Sequence, residues 1–182
     1  VLKGTTSLAV TSSGLNGLTV PVTVTGKPML RFQTQLANTQ VVVGKGLRTY
    51  INEVYVYRTL NGATYSGAQA LTVSLSCSSS AICSVPATVT IPANSYYVYF
   101  QVTGVGVGTT TITATATGYT SPQDANVSVT NPTFQFSGLV TSLKIAGTDA
   151  FTVNAYAPGA YYSQNQTAAS GIGITLVSAN PS

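Results

Sequence analysis

The segment GTTTITAT at positions 108–115 has a close counterpart, GTTSLAVT, 104 positions earlier at 4–11. The same spacing relates Gly14 to Gly118 and Pro28 to Pro132 without a gap. Matches continue more loosely beyond the prolines, where Leu30 aligns with Phe134 and Phe32 aligns with Phe136. Repetition at a fixed period indicates an array of similar structural units, here of about 104 residues each.

Within the complete repeat, short β-branched and aromatic segments alternate with turn residues, and no segment has a helical period. In the segment YYVYFQV at 96–102, the even positions are expected to face the core and the odd positions to face outward. The preceding segment is read likewise, with Val54 and Val56 inward and Glu53, Tyr55 and Tyr57 outward. We predict strands at about 29–35, 40–43, 50–59, 70–76, 87–91, 96–103, 109–117 and 125–130.

Seven or eight strands of this length in about 100 residues predict an antiparallel sandwich of immunoglobulin-domain size. The predicted fold is therefore all-β, with tandem immunoglobulin-like antiparallel β-sandwiches. Residues 28–131 form the complete sandwich, residues 1–27 the C-terminal strands of a preceding repeat, and residues 132–182 the N-terminal part of a following one. The joints Lys27–Pro28 and Asn131–Pro132 are too short to be flexible tethers, so adjacent units are expected to be stiffly connected.

Several motifs of the complete repeat carry a resemblance to a known family. VSLS at 73–76 is followed by VPATVTIPANS at 85–95 and then by TITATA at 111–116. These motifs resemble the bacterial immunoglobulin-like (Big or invasin-type) tandem repeat domains of large surface or secreted proteins. The resemblance implies stalks, filaments or adhesins without enzymatic activity. The sequence departs from the family pattern at Asn94, where Gly is usual, and in the loop that contains its two cysteines.

The composition excludes most catalytic chemistry. Only 5% of the residues are charged, His is absent, and the acidic residues number three. General acid–base catalysis and metal binding depend on those residue types. We therefore expect no enzyme activity, no cofactor and no metal site.

The net charge of +4 reflects scarce acids more than abundant bases. Five of the seven basic residues lie between Lys27 and Arg58, which predicts a weakly basic face rather than a nucleic-acid site. With so few titratable groups, stability is expected to depend little on salt or pH. No apolar run approaches the roughly 20 residues of a membrane helix, so no membrane span is expected in this segment.

The two cysteines, Cys77 and Cys83, are separated by five residues. A disulfide that closes this loop is favoured over a metal pair, which would need further ligands, and over a redox couple, whose usual spacing is two residues. A structural disulfide indicates an oxidising compartment. We expect an extracellular or cell-surface location.

Four tyrosines, Tyr55, Tyr57, Tyr97 and Tyr99, are predicted to point outward from neighbouring strands. Such a row could form contacts with other copies or with neighbouring immunoglobulin-like repeats, could stack on sugar rings, or could merely pair across a solvated sheet. Because the surface carries little charge to oppose association, contacts with other copies or repeats are preferred to sugar stacking, and simple cross-strand pairing stays open. The sequence thus predicts a structural, non-catalytic extracellular element, a filament subunit, stalk or coat. The alternative is an adhesin or carbohydrate-binding module.

Overall fold

The computed structural model describes residues 4–24, 26–34, 39–121, 124–139, 150–160, 165–166 and 173–177. All regular secondary structure within these ranges is β-strand, as the fold-class prediction requires. The strands are β1 Gly4–Ser12, β2 Leu15–Val24, β3 Met29–Thr34, β4 Gln40–Gly44, β5 Leu47–Arg48, β6 Val54–Leu60, β7 Ala63–Thr64, β8 Leu71–Cys77, β9 Cys83–Ser84, β10 Thr88–Ile91, β11 Tyr97–Phe100, β12 Thr103–Gly104, β13 Gly108–Thr115, β14 Ala125–Thr130, β15 Thr133–Ser137, β16 Thr152–Tyr156 and β17 Asn165–Gln166.

Two larger sheets form a sandwich. One has the strand order β10-β8-β13-β14-β4, and the other has the order β11-β6-β3 with β7 paired to β6. The pairs are antiparallel except that β4 runs parallel to β14. A small third sheet, ordered β17-β5-β12-β9, joins short strands beside them.

The core lies between the two larger sheets. Alternate residues of each strand point inward, and Phe32 meets Phe100 edge to face with ring centroids 6.0 Å apart. Because successive side chains of a strand point to opposite faces, this alternation buries one apolar row per strand. All members of the buried cluster lie between Leu30 and Val129: Leu30, Phe32, Val41, Val43, Leu47, Val54, Val56, Val73, Leu75, Cys83, Ile91, Phe100, Val102, Ile112, Ala114, Ala125, Val127 and Val129.

Two predicted orientations are wrong, and both lie just outside a strand. Glu53 is 5% exposed rather than outward-facing, because β6 begins only at Val54 and Glu53 belongs to the preceding turn. One of its carboxylate oxygens accepts a hydrogen bond from the Tyr50 amide at 3.1 Å. Tyr96, predicted to face the core, is 39% exposed because it lies before β11. The strand alternation does not extend into these turns.

The two cysteines are bonded to each other, as predicted. Cys77 ends β8 and Cys83 begins β9, and the Cys83 side chain is fully buried. The bridge closes the loop between the large five-stranded sheet and the small third sheet. A loop of this length adds about 2 kcal/mol in the chain-entropy account of disulfide stabilisation.

A buried cation holds one end of the sandwich together. Arg58 is 2% exposed, so it does not contribute to the basic face that the sequence predicted. Its guanidinium donates to four backbone carbonyls: those of Gly67 at 3.0 Å, Gln69 at 3.0 Å, Pro92 at 3.1 Å and Ser95 at 2.9 Å.

These carbonyls belong to two loops, 65–70 and 92–96, that carry no regular structure of their own. A planar guanidinium with five donors can satisfy several buried acceptors at once. Gly67 leaves the necessary space, since a Cβ there would lie 2.5 Å from an Arg58 nitrogen. Asn94 has a φ of 59°, and its backbone N–H donates a hydrogen bond to the Gly67 carbonyl at 2.8 Å. Asparagine tolerates this left-handed conformation, so Asn94 can occupy the turn without strain.

Two hairpins lie outside the sandwich. β1 pairs with β2 and β15 pairs with β16, each as a two-stranded sheet. Gly14, in the turn of the first hairpin, has a φ of 83°, and Gly118, its counterpart in the sequence repeat, has a φ of 81°. The two aligned glycines therefore share a left-handed backbone conformation.

Replacing Arg58 by Lys is expected to lower the free energy of unfolding by about 2–4 kcal/mol, because one ammonium cannot reach four carbonyls and buried acceptors are left unpaired. Urea denaturation measures the change. Arg31→Lys is the matched control, since Arg31 is exposed on β3 and should shift the free energy by less than about 0.5 kcal/mol. Equal effects of the two substitutions would contradict the role assigned to Arg58.

Candidate functional site

Four tyrosines form a continuous surface, here called the tyrosine face, on the outer side of the sheet β11-β6-β3. Tyr55 and Tyr57 lie on β6, and Tyr97 and Tyr99 lie on β11. The register places Tyr97 opposite Tyr57 and Tyr99 opposite Tyr55. The inward neighbours on these strands are valines and a phenylalanine, so the alternation that builds the core also lines up the phenol rings.

The four rings touch one another, with Tyr55 at the centre. Its ring centroid lies 5.7 Å from that of Tyr57, 5.6 Å from that of Tyr97 and 5.4 Å from that of Tyr99. Tyr97 also contacts Tyr99 at 5.2 Å and the exposed Tyr96 at 4.7 Å. Partial burial and the four neighbouring phenols raise the pKa of Tyr55 above its ordinary value. All four rings are half-buried, because each ring covers part of its neighbours.

Two polar side chains border the tyrosine face on β3. The register places Arg31 opposite Tyr57 and Gln33 opposite Tyr55. Each row across the sheet therefore reads tyrosine, tyrosine and then a hydrogen-bond donor. The face can stack on flat or ring-shaped groups and donate hydrogen bonds, but it contains no carboxylate that could act as a general acid or base.

The outer side of the five-stranded sheet has a different chemistry. Hydroxyl side chains on and just beyond its strands form hydrogen bonds with each other. Ser76 is bonded to Thr113 and Ser78 to Thr111, each at 2.7 Å. Because these hydroxyls already have partners, this side has less to offer a partner molecule than the tyrosine face.

A shallow cavity of about 290 Å³ lies beside the third sheet, and sequence reasoning gave no signal for it. Arg48 and Gln101 are among its lining residues. The Gln101 side-chain amide donates a hydrogen bond to the Thr49 carbonyl at 2.9 Å. The cavity brings together residues from distant parts of the chain.

A second tyrosine pair was also missed by the sequence analysis. The hydroxyls of Tyr65 and Tyr119 are hydrogen-bonded at 2.5 Å, and the Arg58 guanidinium lies 5.6 Å from the Tyr65 ring centroid. Burial, followed by the bond to Tyr119, raises the pKa of Tyr65 to about 12. The hydrogen bond between these two hydroxyls joins the loop after β7 to the turn after β13 and so stabilises the fold.

The predicted joints occupy different environments. Lys27 is exposed, whereas Pro28 is buried and its carbonyl accepts a hydrogen bond from the Thr120 amide at 2.9 Å. Asn131 is exposed, and Pro132 is half-buried. Their role as stiff connections between units stays a prediction.

Neither a metal cluster nor a membrane helix occurs in the described part of the chain. No group of three or more His, Cys, Asp or Glu residues comes together within those ranges. No helix there is long and apolar enough to cross a membrane.

Comparison with known proteins gives structural matches only. No family model matches the sequence, and this holds also for the immunoglobulin-like domains that its motifs resemble. No curated protein matches it either. The fold is similar to domains 4 and 5 of the S-layer protein SbsC, at 21% identity and a TM-score of 0.41 over 71% of this chain and 66% of that one.

Two further matches are to longer pieces of the same surface-layer protein. SbsC domains 4–9 match at 20% identity and a TM-score of 0.43 over 86% of this chain and 24% of that one. The structure rSbsC(31-844) matches at 15% identity and a TM-score of 0.44 over 88% and 27%, respectively. The chain spans less than two thirds of each of these structures. TM-scores below 0.5 do not assign it to a family or to a function.

Glu53 should give stability a dependence on pH that the composition did not predict. Burial raises the pKa of its carboxyl, against a smaller lowering effect of the Tyr50 amide. Because the folded protein then holds this proton at a higher pH than the unfolded chain does, stability should fall as pH rises from the ordinary value of 4.5 through the raised value.

Glu53→Gln keeps an acceptor for the Tyr50 amide and removes the ionisation. We expect its free energy of unfolding to stay flat across that window and to exceed that of the wild type at pH 7, because only the folded wild type must hold a buried, ionised carboxylate there. Chemical denaturation at a series of pH values measures this difference. Asp124→Asn, at an exposed position, serves as the control. If Glu53→Gln kept the wild-type slope, the carboxyl would not be the source.

Proposed function

We propose that this chain is a structural, non-catalytic element of an extracellular or cell-surface assembly, and that the tyrosine face is its lateral contact surface. The observation that carries the proposal is the chemistry of that face, where four touching rings on two neighbouring strands are bordered on β3 by Arg31 and Gln33. Tyrosine is enriched in protein interfaces because one ring combines apolar area with a polar tip.

The low charge supports the same proposal. Interfaces that desolvate charged groups incur a cost, and 5% charged residues leave few such groups to desolvate. The disulfide is consistent with an oxidising compartment. The division into units 1–27, 28–131 and 132–182 belongs to this proposal, and it is supported by the confinement of the buried cluster to residues between Leu30 and Val129.

Packing between tyrosine faces should depend on the rings that pair across β6 and β11. The double variant Tyr57→Ser/Tyr97→Ser is expected to weaken self-association at least about tenfold, since interface tyrosines commonly contribute 1–2 kcal/mol or more. Sedimentation velocity over a concentration series measures the association constant, and circular dichroism checks the fold. The matched control is Tyr50→Ser, which removes a 40% exposed tyrosine from a turn outside the face. An association constant that changes equally in both variants would overturn the lateral role.

A second candidate function is glycan binding by the same face, as in an adhesin or carbohydrate-binding module. The observation that favours it is the placement of Arg31 and Gln33 beside the rings, since sugars are bound by stacking on aromatics with hydrogen bonds at their edges. A glycan array distinguishes the two functions. Binding that is lost in Tyr57→Ser/Tyr97→Ser but kept in Tyr50→Ser would establish this second function, and the absence of any binding would exclude it for the sugars tested.

A further inference from the structure

The shallow cavity beside the third sheet has one charged side chain in its lining. Its volume is about 290 Å³, and it is lined by Arg48, Ser84, Val85, Pro86, Gln101 and Thr103. Arg48 is half-buried, and within the described ranges no carboxylate lies within ion-pair distance of its guanidinium. Because none of the lining residues is acidic, the cavity presents a positive charge without a counter-charge.

The strand register brings three polar side chains of the cavity into one row. Thr103 on β12 lies opposite Arg48 on β5 and opposite Ser84 on β9. Residues directly opposite each other on neighbouring strands project from the same face of a sheet, with Cβ atoms about 5 Å apart. Leu47 and Cys83, which precede two members of the row in the chain, are fully buried. The row therefore points away from the core and into the cavity.

Gln101 adds a side-chain amide to the cavity and is fixed in place. It lines the cavity together with Thr103, whereas Val102 between them is fully buried. Its side-chain nitrogen donates a hydrogen bond to the Thr49 carbonyl at 2.9 Å. Thr49 is fully buried, its N–H donates to the Val102 carbonyl, and its hydroxyl accepts from the Val102 N–H, each at 2.9 Å. These three bonds orient the Gln101 amide in advance, which lowers the entropy cost of binding a ligand there.

The charge and the donors of the cavity favour a carboxylate as the ligand group. A guanidinium donates two parallel hydrogen bonds to a carboxylate, and the pair is strengthened because both groups are charged. One guanidinium balances one negative charge, whereas a phosphate monoester carries nearly two at neutral pH. A metal cation or an ammonium group would find no acidic side chain in the lining.

The other lining residues define the rest of the ligand. The hydroxyls of Ser84 and Thr103 and the amide of Gln101 can both donate and accept hydrogen bonds, so they are complementary to hydroxyl groups. Val85 and Pro86 supply a small apolar surface on which C–H groups can pack. The volume of about 290 Å³ lies at the small end of the range for ligand sites in proteins.

We propose that this cavity binds a small polyhydroxy carboxylate, a sugar acid of monosaccharide size, with its carboxylate on the Arg48 guanidinium. The hydroxyls of the ligand bond to the side chains of Ser84, Thr103 and Gln101. A second copy of this chain is a poor source of the carboxylate, because the chain has three acidic residues and Glu53 is buried. The site shares no residue with the tyrosine face, so it holds or fails independently of the proposed assembly function.

Titration of the ¹⁵N-labelled chain with D-glucuronate, followed by NMR, tests the proposal. We expect saturable shifts of the backbone amides of Arg48, Ser84, Gln101 and Thr103. Arg48→Gln should weaken binding at least about tenfold, because it removes the charged partner of the carboxylate. The matched control is Lys45→Gln, which removes the same charge from an exposed residue outside the cavity lining and should change the affinity less than about threefold.

Further titrations separate the parts of the ligand. D-Glucose, which has the ring and hydroxyls but no carboxylate, should produce no saturable shifts, and N-acetylglycine, a carboxylate without hydroxyls, should bind several-fold more weakly than glucuronate. Thr103→Val keeps the side-chain shape, removes one hydroxyl, and should weaken glucuronate binding several-fold. The amide spectrum of each variant reports its fold, and Thr103→Val still tests the site if Arg48→Gln does not fold. The double variant Tyr57→Ser/Tyr97→Ser should bind glucuronate as tightly as the wild type.

Four results would overturn the proposal. The first is the absence of saturable shifts with glucuronate, and the second is equal weakening by Arg48→Gln and Lys45→Gln. The third is equal binding of glucose, or of N-acetylglycine, which would indicate a neutral sugar or the carboxylate end of a peptide instead. The fourth is loss of binding in the tyrosine variant, which would place the sugar on the tyrosine face. Weaker self-association of that variant with unchanged glucuronate binding would support both proposals separately.

Discussion

The structure depends on one constraint, that an alternating β-sheet has an apolar face which must be covered by another. In the central sandwich the condition is met, and the inner residues of both sheets form one cluster with several members fully buried. The same condition explains the outer surfaces, because the alternation that sends valines inward sends the tyrosines of β6 and β11 outward as a packed row. The buried core and the tyrosine face are therefore the two sides of the same alternating strands.

The scarcity of charge acquires a structural meaning from this arrangement. With few ionic groups to stabilise loop ends, a single buried guanidinium on Arg58 satisfies four carbonyls of two loops. One carboxyl, that of Glu53, is buried in a turn and hydrogen-bonded to the Tyr50 amide. The few charged residues are therefore not all spread over the surface, and the outer faces of β6 and β11 carry tyrosines.

Much of the fold could be predicted from the sequence because period-two alternation is a local signal. Strand positions such as Met29–Thr34 and Ala125–Thr130 follow it closely. The predictions for Glu53 and Tyr96 were wrong because each residue lies just before its strand begins, where alternation no longer sets direction. The role of Arg58 could not be predicted, since its carbonyl partners lie 9 to 37 residues away and carry no sequence signature. The outward tyrosines were predictable as a row, but their contacts depend on the register between β6 and β11.

The central claim is that the tyrosine face is the contact surface of an assembly. Hydrogen–deuterium exchange at increasing protein concentration tests this claim most directly, because it reports protection separately for each strand. Amides of β11, the edge strand of the sheet that carries the tyrosine face, should become more protected as concentration rises, whereas those of β8 and β13 should be protected throughout. Exchange of the β11 amides that is independent of concentration would contradict the account.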